Sequence, residues 1–126
     1  MTKAKYTQDQ ERAQRAFGCV QEVEQGKDAS TKKKYSTQCR RLPQLIQQCG
    51  LCQTVAFLQS KAAEPAVARA LADFAEVVEH GQSATDFAKK CRQSELKEYQ
   101  WMSRHAIQCA SWMKRYAEAL LPRGED

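Results

Sequence analysis

Apolar side chains recur along this sequence at alternating steps of three and four residues, the spacing that gathers them on one side of an α-helix. The longest such run extends from Ser94 to Leu121, where Tyr99, Met102, Ala106, Cys109, Met113, Tyr116 and Leu120 form the seam. Ser94 is placed as an N-cap, Glu95 and Glu98 suit the positive end of the helix dipole, and Lys114 and Arg115 lie toward its negative end. Pro122 and Gly124 stop the run. At about 1.5 Å per residue such a helix is roughly 40 Å long, so the rest of the chain is expected to pack along it.

Shorter runs precede it. Thr7-Gln8-Asp9-Gln10 has capping-box spacing and opens a first helix whose stripe is Ala13, Ala16, Phe17, Val20 and Val23, with Gly26 as the stop. Arg15 falls opposite that stripe and Arg12 on its flank. After a turn at Lys27 to Ser30, Tyr35, Cys39, Leu42, Leu45, Ile46 and Cys49 share one side of a second helix. A mid-helix proline costs about 3 kcal/mol, so Pro43 predicts a kink or a restart at Leu42-Pro43. Gly50 breaks this helix, and a third runs to about Lys61 with Leu51, Val55, Ala56, Phe57 and Leu58 around most of its circumference, which predicts a central, buried position. Pro65 suits the first turn of a fourth helix with the core stripe Val67, Leu71, Phe74, Ala75 and Val78, an acidic outer face of Asp73, Glu76 and Glu79, and a stop at Gly81. Ser83 or Thr85 caps a short fifth helix around Phe87 and Ala88. The expected fold is all-α: one domain over residues 1–126, a compact bundle of about six helices with a long C-terminal helix.

Composition agrees with helix throughout. The chain holds only five glycines and three prolines, and no run of alternating β-branched residues argues for a sheet. No apolar stretch approaches the twenty or so residues of a membrane span. The opening MTKAKYTQDQ lacks the apolar core of a signal peptide, so a cytoplasmic protein is expected. The net charge of +5 is unevenly spread: residues 1–41 carry ten Lys or Arg against five acids, residues 42–88 two against five, and residues 89–126 eight against five. Basic ends around an acidic middle suit a polyanion partner or self-assembly through opposite faces.

Six cysteines raise the question of disulfides, but most fall on or near apolar stripes, where a free thiol behaves as a small hydrophobe. Cys49-Gly50-Leu51-Cys52 has CxxC spacing without a second ligand pair or a preceding strand, so no metal or cofactor is expected. There is no Gly-rich phosphate loop, no HExxH and no nucleophile motif, and neither His80 nor His105 has a recognisable catalytic partner. No catalytic residue, small-molecule substrate or enzymatic activity is expected.

Binding features are more pronounced. On the second helix Lys33 and Arg40 project together away from the stripe, Lys34 and Arg41 share the adjoining flank, and Lys32 completes the cluster. On the last helix Trp101, His105, Gln108 and Trp112 form a stripe beside the seam, with Lys97, Arg104 and Arg115 beyond it. Such a margin suits a protein interface or a nucleic-acid strand, or simply a wider core.

The run from Arg41 to Lys61, RLPQLIQQCGLCQTVAFLQSK, closely resembles the central signature of the small subunit of the Cmr effector complex, the type III-B CRISPR RNA-guided complex. The tail from Trp112 to Leu120 resembles its C-terminal signature, and Asp9-Gln10-Glu11-Arg12-Ala13 is similar to the start of its first helix. Cys49 departs from the polar residue expected before Gly50. The resemblance implies a small, non-catalytic helical subunit that stacks in several copies beside the backbone and large Cmr subunits, along the groove holding guide RNA and target RNA. On that reading the nucleic-acid-binding candidates are Arg12, Arg15, Lys33, Lys34, Arg40, Arg41, Lys97, Arg104 and Arg115. The partner-interface candidates are Trp101, Trp112, Asp73, Glu76 and Glu79. An independent helical adaptor that binds only protein, and a cysteine-based redox or metal protein, are the competing readings.

Overall fold

The computed structural model describes residues 5–123. Among them are six α-helices and no strand: α1 (Gln8–Glu24), α2 (Ala29–Cys49), α3 (Leu51–Ser60), α4 (Pro65–Val78), α5 (Ala84–Gln93) and α6 (Leu96–Leu120). The long α6 is the spine, with α1, α2 and α4 packed along it. α4 also meets α1 and α2, and α3 and α5 close the bundle against each other and α4.

The chain punctuation sets these elements. Thr7 and Gln10 form both bonds of the capping box, at 2.8 and 3.0 Å, so the first helix starts where its sequence directs. The Asp28 carboxylate caps α2 through the Ser30 N–H at 3.0 Å. Gly50 adopts φ +85° as its N–H bonds the Ile46 carbonyl at 2.8 Å, and α3 begins at the next residue. Pro65 occupies the first turn of α4.

Three expectations need correction. α2 continues through Pro43 without a restart; Leu42 and Ile46 on either side of it are buried, and that packing offsets the lost backbone bond. α3 is peripheral, not central: Leu51, Val55 and Leu58 face inward, but Gln53, Ala56 and Phe57 are exposed. Its corner at Gly50 lets only one side meet α2, α4 and α5. The central helix is α4, with nine of 14 residues buried, including Phe74, whose ring meets Phe87 of α5 edge-on at 5.5 Å. Finally, Ser94 does not cap α6. Its hydroxyl donates to the Lys90 carbonyl at the end of α5, and α6 starts at Leu96 behind Glu95. Leu121 follows the last helical residue and precedes Pro122; Gly124, the other stop read from sequence, lies outside the described residues.

Candidate nucleic-acid and partner surfaces

The basic cluster on α2 divides in two. Lys33, Lys34 and Arg41 are exposed. The first two line a cleft of about 500 Å³ with Thr37, Gln38, Glu64 and Arg123, and the Lys34 ammonium lies 3.3 Å from Glu64. Arg40, read from sequence as projecting beside Lys33, instead turns inward: its Nε–H donates to the Ser36 hydroxyl at 3.0 Å, and Nη1 lies 3.9 Å from Glu118 on α6. Glu118 also lies 3.7 Å from Arg115, so the structure joins the basic residues of α2 and α6 through one shared carboxylate. Lys97, Arg104 and Arg115 remain exposed along α6, as their stripe predicts.

Arg12 and Arg15 are placed differently from their expected position. The buried side of α1 is Ala16, Cys19, Val20 and Val23, with Phe17 38% exposed, so the helix is turned toward Cys19 relative to the stripe read from sequence. That turn brings Arg15 to α4, where its Nε–H donates to the Val77 carbonyl at 3.1 Å. It also brings the Nε–H of Arg12 to Nδ1 of His105 at 2.9 Å. The last carbonyls of a helix have no intrahelical partner, and here Arg15 meets Val77 while the other ring nitrogen of His105 lies 2.8 Å from the Val78 carbonyl. A carbonyl only accepts, so Nε2 carries the His105 proton and Nδ1 is the acceptor for Arg12. Burial lowers the His105 pKa from its ordinary 6.5, and the Arg12 and Arg15 cations add to the shift, opposed by the bond to Val78. His105 was not among the sequence candidates. Its position one turn from both Trp101 and Cys109, beside the seam, was the available signal.

The acidic outer face expected of α4 does not form as drawn. Asp73 is buried, and it accepts the Tyr35 hydroxyl at 2.7 Å and the Arg69 Nε–H at 3.1 Å. Glu76 is half-buried and caps the Gly81 N–H at 3.0 Å, where the chain turns with φ +85°. Glu79 is exposed and pairs with Lys90 of α5 at 2.7 Å. Of the two tryptophans, Trp112 is half-buried: its Nε1–H donates to Asp9 of α1 at 2.9 Å, and its ring stacks on Tyr116. Trp101 is 51% exposed and stacks on His105, with ring centroids 5.0 Å apart and planes at 18°.

Cys19, Cys39, Cys91 and Cys109 are buried free thiols, and Cys49, expected on the α2 stripe, is exposed. Burial pushes Cys19, Cys91 and Cys109 up to about 12 and raises Cys39 as well, which leaves these four as thiols at neutral pH. No group of three or more His, Cys, Asp or Glu among the described residues is arranged to hold a metal ion. No helix among the described residues is long and apolar enough to cross a membrane.

These features define a class: a small all-helical bundle with exposed cations on α2 and α6 and an exposed aromatic side chain on α6. The sequence matches the family described as CRISPR-associated protein (Cas_Cmr5) over residues 8–120. It is 33% identical over 116 residues to a protein named CRISPR system Cmr subunit Cmr5 from Thermus thermophilus, covering 91% of this chain and 96% of that protein. The fold superposes with a TM-score of 0.84 on the crystal structure of a CRISPR-associated Cmr5 family protein, also from Thermus thermophilus, at 31% identity and covering 93% of this chain and all of the other. The chain belongs to the Cmr5 family.

Proposed function

We propose that this chain is a non-catalytic structural subunit of a type III-B CRISPR (Cmr) ribonucleoprotein effector in the cytoplasm. It stacks there in several copies beside the other Cmr subunits and helps hold the guide RNA–target RNA duplex. The observation that carries this reading is the family match, which runs from the first helical residue of α1 to the last of α6. Exposed cations support the RNA contact: Lys33, Lys34 and Arg41 on α2, and Lys97, Arg104 and Arg115 on α6. Phosphate contacts need charges that a solvated backbone can reach. Arg40, Arg12 and Arg15 are half-buried and bonded within the bundle, so they serve the fold before they serve RNA.

The test is the triple variant K33E/K34E/R41E in the assembled complex, with RNA affinity measured from low to physiological salt. Each phosphate contact adds close to one unit to the log–log salt slope, so the variant is expected to lose about tenfold or more in affinity and about three units of slope. An intact complex with unchanged affinity and slope removes this face from the RNA contact and favours an adaptor that binds only protein.

A further inference from the structure

Trp101 lies at the opposite end of α6 from the Lys33–Lys34–Arg123 cleft. A smaller cleft of about 250 Å³ opens beside it, with Val78 and Met102 apolar and buried, the Trp101 and His105 rings stacked, Glu79 and Glu98 contributing carboxylates and Lys90 an ammonium. The His105 ring beneath the indole accepts from Arg12 at Nδ1 and donates to the Val78 carbonyl from Nε2, the arrangement of a neutral imidazole. Glu79 is matched by Lys90, which also acts electrostatically on Glu98; Glu98 itself enters no salt bridge within 4.0 Å among the described residues, and its hydrogen bond is a 3.5 Å contact from the Ser94 hydroxyl. An adjoining depression shares Lys90 and Glu98 and adds Asp86, Glu95 and Lys89 to this end of the bundle.

We propose that this cleft is a docking site for an arginine side chain presented by a partner protein. An indole half open to solvent attracts a cation over its face, and tryptophan is the best of the aromatic residues at this. Guanidinium is planar, weakly hydrated and rich in donors, so it can lie on the indole and still bond the Glu98 carboxylate; an ammonium cannot do both as well. Glu79, Glu98, Asp86 and Glu95 outnumber Lys89 and Lys90 in this lining, so it favours a cation over a phosphate, while Lys97 and Arg104 on the outward stripe of α6 stay available to RNA. The site does not depend on RNA binding, and it rests on the subunit reading only for where the partner comes from.

The test uses the full-length protein labelled with ¹⁵N and titrated with N-acetyl-arginine amide, with N-acetyl-citrulline amide as the neutral isostere. Arginine is expected to shift the Trp101 indole N–H saturably and leave that of Trp112 unmoved, and citrulline to bind at least about fivefold more weakly. Glu98→Gln should weaken arginine by about fivefold, Trp101→Leu should abolish the effect while the backbone spectrum stays folded, and K33E/K34E should change nothing. Equal binding of citrulline, an inert Glu98→Gln, or no saturable shift at Trp101 overturns the proposal. In the purified complex, a photo-crosslinking side chain at position 93, which lines the adjoining depression, is expected to capture protein. RNA adducts, or none, would also overturn it. Loss of RNA binding in the α2 variant bears on neither experiment, so the two readings fail separately.

Discussion

Replacing Asp73 with alanine is expected to lower the unfolding free energy by about 3–4 kcal/mol. The carboxylate is the acceptor for the hydroxyl of Tyr35, which is fully buried between α2 and α4. Without it the hydroxyl has no partner and no path to water, and the guanidinium of Arg69 loses a contact at 3.1 Å. Arg69 is 40% exposed at its side chain and turns to solvent cheaply, so most of the cost falls on Tyr35 and on the space left behind. Asp73→Asn keeps an acceptor for the hydroxyl and is expected to cost about 1–2 kcal/mol. Tyr35→Phe removes the donor but leaves Asp73 on Arg69, at a similar cost. Burial is the largest influence on Asp73 and raises its pKa from 3.8, against the bonds from Tyr35 and Arg69. A carboxyl with a raised folded pKa binds its proton more readily folded than unfolded. Its contribution to stability is therefore full below pH 3.8 and lost as pH rises through the folded value. Wild type should thus gain on Asp73→Asn as acid is added through that window. Urea denaturation at several pH values reads both effects. A wild-type midpoint in Asp73→Ala would mean that the Tyr35–Asp73 bond does not hold α2 to α4.

Why Asp73 was expected on the surface bears on how far the sequence can be read. Its helix was placed correctly, from Pro65 to the end of the apolar stripe, because backbone signals are local: a proline at the first turn, a glycine at the turn beyond. The capping box at Thr7 and the break at Gly50 were legible for the same reason. A helical wheel gives angles, but the width of the buried arc depends on how many neighbours a helix has. α4 meets five of them, α1, α2, α3, α5 and α6, so its arc widens past Val67, Leu71 and Phe74 to take in Ala70, Asp73 and Val77. α3 has fewer apolar neighbours than its composition suggests, and Phe57 is left 39% exposed. The local cost of Pro43 is offset by tertiary packing that keeps α2 whole, and that packing is not visible in local sequence.

The candidate surfaces divide along the same line. Lys33, Lys34, Arg41, Lys97, Arg104 and Arg115 were placed outward by the pattern and lie outward, since nothing in the bundle draws them in. Arg12, Arg15 and Arg40 found internal acceptors that no sequence spacing reveals: a histidine ring 93 positions away, a helix-end carbonyl 62 positions away, and a buried hydroxyl. The exposed aromatic and the two basic margins were visible as types. That Glu79 of α4 and Lys90 of α5 meet Glu98 beside Trp101, and that Glu64 and Arg123 meet Lys33 and Lys34, follows only from which elements come together there.

Stability is expected to fall as pH drops below about 6.5, and His105→Phe should remove that component. The unfolded imidazole takes up a proton near its ordinary value of 6.5, and the folded one only at lower pH. Between the two values the unfolded state binds more protons, so the folded state is at full advantage above pH 6.5 and loses it as pH falls toward the folded value. Protonating Nδ1 turns an acceptor into a donor 2.9 Å from the Arg12 Nε–H, which faces two donors and two cations toward each other in a buried position. Arg12 must then leave. It also lies 3.3 Å from Asp9, the acceptor for the Trp112 indole, so the α1–α6 seam loosens with it. Glu79, Glu98 and Lys90 face the ring across the Trp101 cleft, and Cys109 lies 3.7 Å from Nε2; none of these supplies Nδ1 with a new acceptor. Phenylalanine keeps a ring beneath Trp101 but strands the Val78 carbonyl and the Arg12 N–H, at a cost of about 2–3 kcal/mol near neutral pH. Arg12→Met should instead raise the His105 pKa and narrow the window. Paired urea titrations of wild type, His105→Phe and Arg12→Met at pH 5.5 and 7.5 decide the matter, since the difference between chains isolates His105 from every other acid-sensitive group. If the phenylalanine variant keeps the full wild-type pH dependence, the opposed bonds on His105 are not what makes the fold acid-sensitive.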